Sequence, residues 1–443
     1  MLFFRDPRHF AEADMDVVKA RLVVLLLFVA SGLSACGYPT SAASEKIPAT
    51  SKACTSSAVA NQYVVRWKDG TSVVYKNTTR EQILKTIIEP NVDEIEFAEQ
   101  DQKVRAPATS LSVTEQATVP ASPDWGQAIT EAQSAWDQGY RGKGVIVAVV
   151  DSGVDRTHNQ LRNQIYVNPG ETGLDSQGRD KATNGVDDDH NGFIDDVSGY
   201  DFEKNSAFVT DGTGHGTHVA GVIAAQQSAG SVKGLADQAR ILPLDFMTDD
   251  GSGNISDAIR AMAYAAQMGA KVVNASWGGS PCSRNLQSAI ADLGARGIIF
   301  VSAAGNNGVD LDEQPEYPAA YGMSSQVTVG ASSTRDFMEI FSNFSYSLVN
   351  IMAPGSGIVS TYPDLSTSTT KRTDLTKSLS GTSMAAPFVS GAAALLLGAR
   401  PNATVSDVKN ALLLSVDSGP FQVSSRGRLN VRKALVEILK LPQ

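Results

Sequence analysis

Val145-Ile146-Val147-Ala148-Val149-Val150-Asp151-Ser152-Gly153 is the stretch on which the fold turns. Its first six residues are apolar with no polar interruption, and five of them are β-branched. A run of that kind suits a strand buried on both faces. Downstream the text alternates. Residues 240–245 read as strand, 256–268 as helix, 271–274 as strand, 284–296 as helix and 298–303 as strand. Gly269 and Gly297 stop their helices where a left-handed cap is wanted. Successive βαβ units imply an α/β domain, a doubly wound and mostly parallel sheet with helices on both faces. Chemistry in such sheets gathers at the carboxyl ends of the strands, where Asp151 would stand.

The chain has 443 residues, of which 42% are hydrophobic and 19% charged, enough apolar material for a packed core and too much for a disordered or fibrous protein. It carries 37 Lys and Arg against 47 Asp and Glu, a net charge of −10, so it lacks the basic surplus that nucleic acid binding needs. Part of the acidity is local, six aspartates falling between Asp187 and Asp201. Three cysteines, Cys36, Cys54 and Cys282, are too few for a disulfide framework.

Lys19 and Arg21 precede a short apolar run, 22–30, and then Leu33-Ser34-Ala35-Cys36. The run is too short to span a bilayer and reads as an export signal. The charged residues before Met15 suit no signal, which makes Met15 the expected start. The last four residues resemble the lipobox of bacterial lipoproteins, so Cys36 is the expected lipidation site. The acyl chains would hold the protein on a membrane surface with nothing spanning it, the outer membrane if the host has two. Cleavage by an ordinary signal peptidase after Ala35 is the alternative. Residues 37–61 then read as a flexible tether, 62–105 as a small α+β prosegment, 106–122 as a second linker and 123–443 as the large domain.

Three segments of the large domain carry chemistry. Asp151 leaves the buried strand. His215 opens a helix in Gly212-Thr213-Gly214-His215-Gly216-Thr217-His218, and Ser383 opens another in Ser380-Gly381-Thr382-Ser383-Met384-Ala385-Ala386-Pro387. A serine hydroxyl needs a base to take its proton, an imidazole titrates in the useful range, and a fixed carboxylate sets the tautomer. The local motifs, their order and their spacing resemble the subtilase family of serine peptidases over residues 123–439. The resemblance implies a subtilisin-like fold and hydrolysis of protein or peptide substrates through an acyl-enzyme on Ser383. Asn306 in Ala303-Ala304-Gly305-Asn306 would be the oxyanion donor. Ser276, Trp277 and Gly278 would line the substrate as an added strand, and Ala303, Ala304 and Gly305 would wall the primary specificity pocket. Trp277 suggests a roomy apolar subsite, and Pro387 reads as part of the first turn of its helix.

Each segment also has a plainer reading, as a turn, a helix cap or, for His215 with His218, a pair of metal ligands without a third. A catalytically silent lipoprotein that binds peptides in the same groove is the competing function. Asp187-Asp188-Asp189-His190-Asn191-Gly192 resembles the start of an EF-hand calcium loop, although Ser198 stands where its closing Glu would be. Asp187, Asp189 and Asn191, with Asp195 or Asp196 closing, are the expected ligands of a structural Ca²⁺. No catalytic metal is expected. Residues 62–105 resemble a short inhibitory subtilase propeptide, which implies self-cleavage between Arg105 and Asp124. That cut would release the enzyme from its lipid tether unless the two parts stay bound. Cys54 and Cys282 could pair in an oxidising compartment or remain two thiols.

Overall fold

The structure is a computed structural model that describes residues 57–106, 122–366 and 374–441. The expected export signal, Cys36, Cys54 and most of both linkers lie outside the described residues.

The segment expected to be a prosegment folds as an antiparallel sheet of β1 (Ala58–Trp67), β2 (Ser72–Tyr75) and β3 (Ile95–Arg105), with the short helix α1 (Arg80–Ile83) and a following helical turn packed on it. Tyr63, Val65, Ile83, Ile88 and Ile95 form its own small core. Its edges differ from the expectation. β1 begins inside the stretch read as tether, and β3 runs eight residues past Phe97, where the strand-like alternation of residues 94–97 ends. Residues 100–105 are polar apart from Val104; Gln100 and Gln102 still pair with β1, whereas Lys103, Val104 and Arg105 pair with residues 252–254 of the large domain.

The large domain follows the alternation legible in its sequence. In chain order it contains α2 (Trp125–Ile129), α3 (Gln133–Asp137), β4 (Ile146–Asp151), β5 (Tyr200–Asp201), α4 (His215–Ala224), β6 (Arg240–Asp245), β7 (Ser252–Asn254), α5 (Ile255–Gln267) and β8 (Val272–Ala275). Next come α6 (Arg284–Ala295), β9 (Ile299–Ala303), β10 (Gln326–Ser332), β11 (Ile351–Pro354), β12 (Ile358–Tyr362), β13 (Leu375–Leu379), α7 (Thr382–Ala399), α8 (Val405–Leu414), β14 (Asp417–Ser418), β15 (Gly427–Arg428) and α9 (Val431–Leu439). Among the described residues the main sheet has nine strands in the order β14-β15-β11-β10-β9-β8-β4-β6-β5, parallel except for the β14–β15 pair.

Strand β4 is buried on both faces because helices cover both. Val147 and Val149 enter one apolar cluster with α4 and α7, whereas Ala148 and Val150 enter the other with α5 and α6. Each valine buried this way contributes about 1.5–3 kcal/mol. The chain winds from β4 to β6 on one side and from β8 to β11 on the other, so the switch point lies between β4 and β8. Asp151 ends β4, and Ser276 follows the end of β8. Helix α7 is long and apolar enough to cross a membrane, but 89% of that stretch is buried inside the protein, as in the core helix of a packed sheet.

Candidate active site

The end of β4 delivers Asp151 to the head of α4. The Asp151 carboxylate lies completely buried, and its Oδ1 is 2.7 Å from His215 Nδ1. The close approach depends on Gly216, since a Cβ there would stand 2.0 Å from the carbonyl oxygen of Gly153. Asp211, outside the motifs, holds the head of α4 together. It accepts hydrogen bonds from Gly214 N (2.7 Å), Thr217 N (2.8 Å) and the Ser152 hydroxyl (2.9 Å). Burial works against a charged imidazole at His215, but the Asp151 carboxylate outweighs it and holds the pKa above the ordinary histidine value. His215 Nε2, the second ring nitrogen, has no hydrogen-bond partner among the described residues and is available to take a proton.

His218 has a different task. It is buried in the core, and its Nε2 lies 3.0 Å from the carbonyls of Ile358 and Lys377. Burial pushes its pKa down to about 3. A neutral ring donating to main-chain carbonyls is a structural histidine rather than a metal ligand.

Ser383 is the second residue of α7, and its Oγ donates to the Ser276 carbonyl oxygen at 3.1 Å. In return the Ser276 hydroxyl donates to the Ser383 carbonyl at 3.0 Å. The second contact has a local cause. Pro387 stands in the second turn of α7, not the first as expected, and lacks the N–H that would bond the carbonyl four residues back. That carbonyl belongs to Ser383, and Ser276 satisfies it. This ties the helix to the end of β8, next to Asp151.

Asn306 is fixed by Thr382, whose N–H and hydroxyl donate to its Oδ1 at 2.9 and 2.8 Å. Its amide nitrogen consequently turns toward Gly381. A Cβ on Gly381 would lie 3.0 Å from Asn306 Nδ2 and 3.7 Å from Ser383 N, so both N–H groups border one small space beside the serine. Two donors converging there can bind an oxygen that becomes negative during acyl transfer. The structure thus gathers Asp151, His215, Ser276, Asn306 and Ser383 at the carboxyl edge of the central strands.

Trp277 shares an apolar cluster with Val104 of the prosegment tail. It is 1% exposed, its indole N–H donates to the Val150 carbonyl (2.8 Å) and its ring packs edge-on against Phe246. Gly278 faces the groove with its backbone. It exchanges hydrogen bonds with Arg105 of the prosegment, at 3.1 and 2.9 Å, while β3 also pairs antiparallel with β7 and Ala106 N donates to Gly251 O. The prosegment tail therefore lies as an extended strand between residues 251–254 and Gly278. Val104 in that tail is buried.

In the acidic loop, Asp189 and Asp196 converge with Glu171, one carboxylate oxygen of each lying within 4.8 Å of the others. Asn168 and Asn191 bridge the two aspartates with their amides. Asp187 instead accepts from the backbone N–H groups of Asn191 and Gly192, and Asp195 from that of Gly185. Glu171 is fully buried, with one oxygen on the N–H groups of Asp188 and Asp189 and the other unpartnered among the described residues. Burial pushes the Glu171 and Asp196 carboxyls up. Crowded carboxylates with a spare, desolvated oxygen are a donor set suited to a hard divalent cation. Glu171 was missed because it lies outside the loop motif. Cys282 is buried, and Cys54, with which it could pair, lies outside the described residues.

The profile of the subtilase family matches residues 142–429. Thermitase from Thermoactinomyces vulgaris is 33% identical over 71% of this chain and 96% of its own length. Subtilisin DY from Bacillus licheniformis is 33% identical over 70% and 97%. Among solved structures, fervidolysin from Fervidobacterium pennivorans, a keratinolytic enzyme related to subtilisin, shares the fold with a TM-score of 0.66 at 23% identity, covering 87% of this chain and 62% of that one. By sequence and by fold, the chain belongs to the subtilase family.

Proposed function

We propose that this subtilase is an exported serine endopeptidase in which Ser383 is the nucleophile, His215 the general base and Asp151 the group that orients and stabilises the imidazole. The observation that carries the reading is the buried 2.7 Å contact between His215 Nδ1 and Asp151 Oδ1, with the opposite ring nitrogen left for the serine proton. Ser383 Oγ would attack the scissile carbonyl carbon as its proton passes to His215 Nε2. The oxyanion would lie between Asn306 Nδ2 and Ser383 N. His215 then gives the proton to the departing amine, and water repeats the sequence on the acyl-enzyme.

Substrates would bind as the prosegment tail does, extended and paired with Gly278. The prosegment is read as an inhibitor that the enzyme removes by cutting between Arg105 and Asp124. Lipidation at Cys36 would anchor the precursor to a membrane surface, and that cut would free the large domain unless the parts stay docked. Glu171, Asp189 and Asp196, with Asn168 and Asn191 beside them, would hold a structural Ca²⁺, whose charge offsets their mutual repulsion.

Wild-type protein expressed with its export signal should hydrolyse an unfolded protein substrate and yield a fragment beginning between Arg105 and Asp124. Ser383→Ala should do neither and accumulate as intact precursor. A variant processed and active like wild type would refute the assignment of the nucleophile.

A further inference from the structure

The two walls expected to hold a substrate side chain, residues 276–279 and Ala303–Gly305, are closed at one end by Glu316-Tyr317. Tyr317 exchanges both backbone hydrogen bonds with Gly279, at 2.8 and 2.7 Å. One residue earlier, Glu316 reaches the other wall. A Cβ on Gly305 would stand 2.4 Å from Glu316 Oε2, so the absent side chain of that glycine makes room for the carboxylate. The carboxylate accepts hydrogen bonds from Asn343 Nδ2 (3.0 Å) and from Asn307 Nδ2, the residue after Asn306. Glu316 is half-buried, and no ion pair involving it occurs among the described residues. Two neutral amides orient this carboxylate and leave its charge uncompensated. A negative group held in that way against a pocket wall favours a cation and disfavours an apolar group that would strip its water.

We propose that Glu316 sets the primary specificity of the enzyme, so that the pocket takes a lysine or arginine side chain on the acyl side of the scissile bond. The inference rests on the serine endopeptidase reading. The cation of the substrate side chain meets Glu316 while the backbone pairs with Gly278, and the scissile carbonyl then faces Ser383. A charge-assisted contact of this kind is worth about 10- to 100-fold in kcat/KM.

The test uses peptidyl p-nitroanilides that differ only in having Arg, Lys, Phe or Leu before the cleaved bond. Active enzyme is counted in each preparation by titration with a fluorophosphonate. Wild type should favour Arg and Lys over Phe and Leu by about tenfold or more. Glu316→Gln should lower kcat/KM for the two basic substrates by about 10- to 100-fold, with the apolar pair unchanged or improved. Glu316→Asp should retain a preference for a cation. An equal loss on all four substrates would assign Glu316 to holding the loop alone and overturn the proposal. So would a wild-type enzyme that cuts after Phe or Leu as readily as after Arg, a result that needs no folded variant. An absence of titratable serine would instead overturn the peptidase reading, and this inference with it.

Discussion

At His215 two forces oppose each other, and their balance fixes the working pH. Burial favours the neutral ring, and Asp151 favours the imidazolium more strongly, leaving the pKa above its ordinary value of 6.5. Only the neutral ring can take the serine proton, so activity should be absent below that pKa and appear as pH rises through it. A profile of kcat/KM against pH should therefore show its acid limb above 6.5, whereas a limb well below it would contradict the geometry of the pair. In Asp151→Asn the burial remains and the opposing charge is lost. The limb should move down, with turnover falling by about 10⁴-fold. The same pair shows what a sequence can and cannot tell. Asp151, His215, Asn306 and Ser383 sit in local motifs, and each was legible because the backbone around it must be small and tightly turned. That Trp277 packs with Val104 and Phe246 is set by tertiary contacts that linear text does not show. Glu171 and Glu316 meet their neighbours only through folding, with no motif to mark them.

The elements β4, β6, α5, β8, α6 and β9 were read to within a residue or two because alternating buried strands and amphipathic helices leave periodic patterns. Strand β3 was read too short because its last residues are specified by partners far away in sequence. Lys103, Val104 and Arg105 pair with residues 252–254, and a pairing fixed by tertiary context leaves no local signal. The acidic loop depends on a second element in the same way, since Glu171 closes a cluster begun by Asp189 and Asp196. If a Ca²⁺ is held there, it links two segments that charge repulsion would otherwise separate. A chelator should lower the melting temperature by roughly 5 °C, the shift expected when an ion is present at about a hundred times its dissociation constant. Added calcium should restore it, and Glu171→Gln should reduce the response while leaving the acid limb of the pH profile in place. A melting temperature indifferent to both chelator and calcium would remove the ion from the account.

Across the whole molecule, the prosegment is bound by the same features that build the active domain. Glu99 accepts the N–H groups of Arg284 and Asn285 at the start of α6, and Asp101 accepts that of Ser256 at the start of α5. Both carboxylates meet the positive ends of helices that flank the sheet, a favourable placement for negative charge. From these two anchors β3 runs straight into the groove and ends beside Gly278. One architecture thus holds Asp151, His215 and Ser383 at the edge of the sheet and seats the tail between residues 251–254 and Gly278. The composition could say only that the core was large enough. That the tail of the first domain lies in the cleft of the second required the folded chain.

The central claim is that one hydroxyl, on Ser383, is made nucleophilic by the buried pair beside it. The most direct measurement is reaction of the processed enzyme with a fluorophosphonate, followed by mass spectrometry of its peptides. One adduct on Ser383 is predicted, lost on unfolding and in His215→Ala. No adduct, or one on another serine with Ser383 unmodified, would contradict the account.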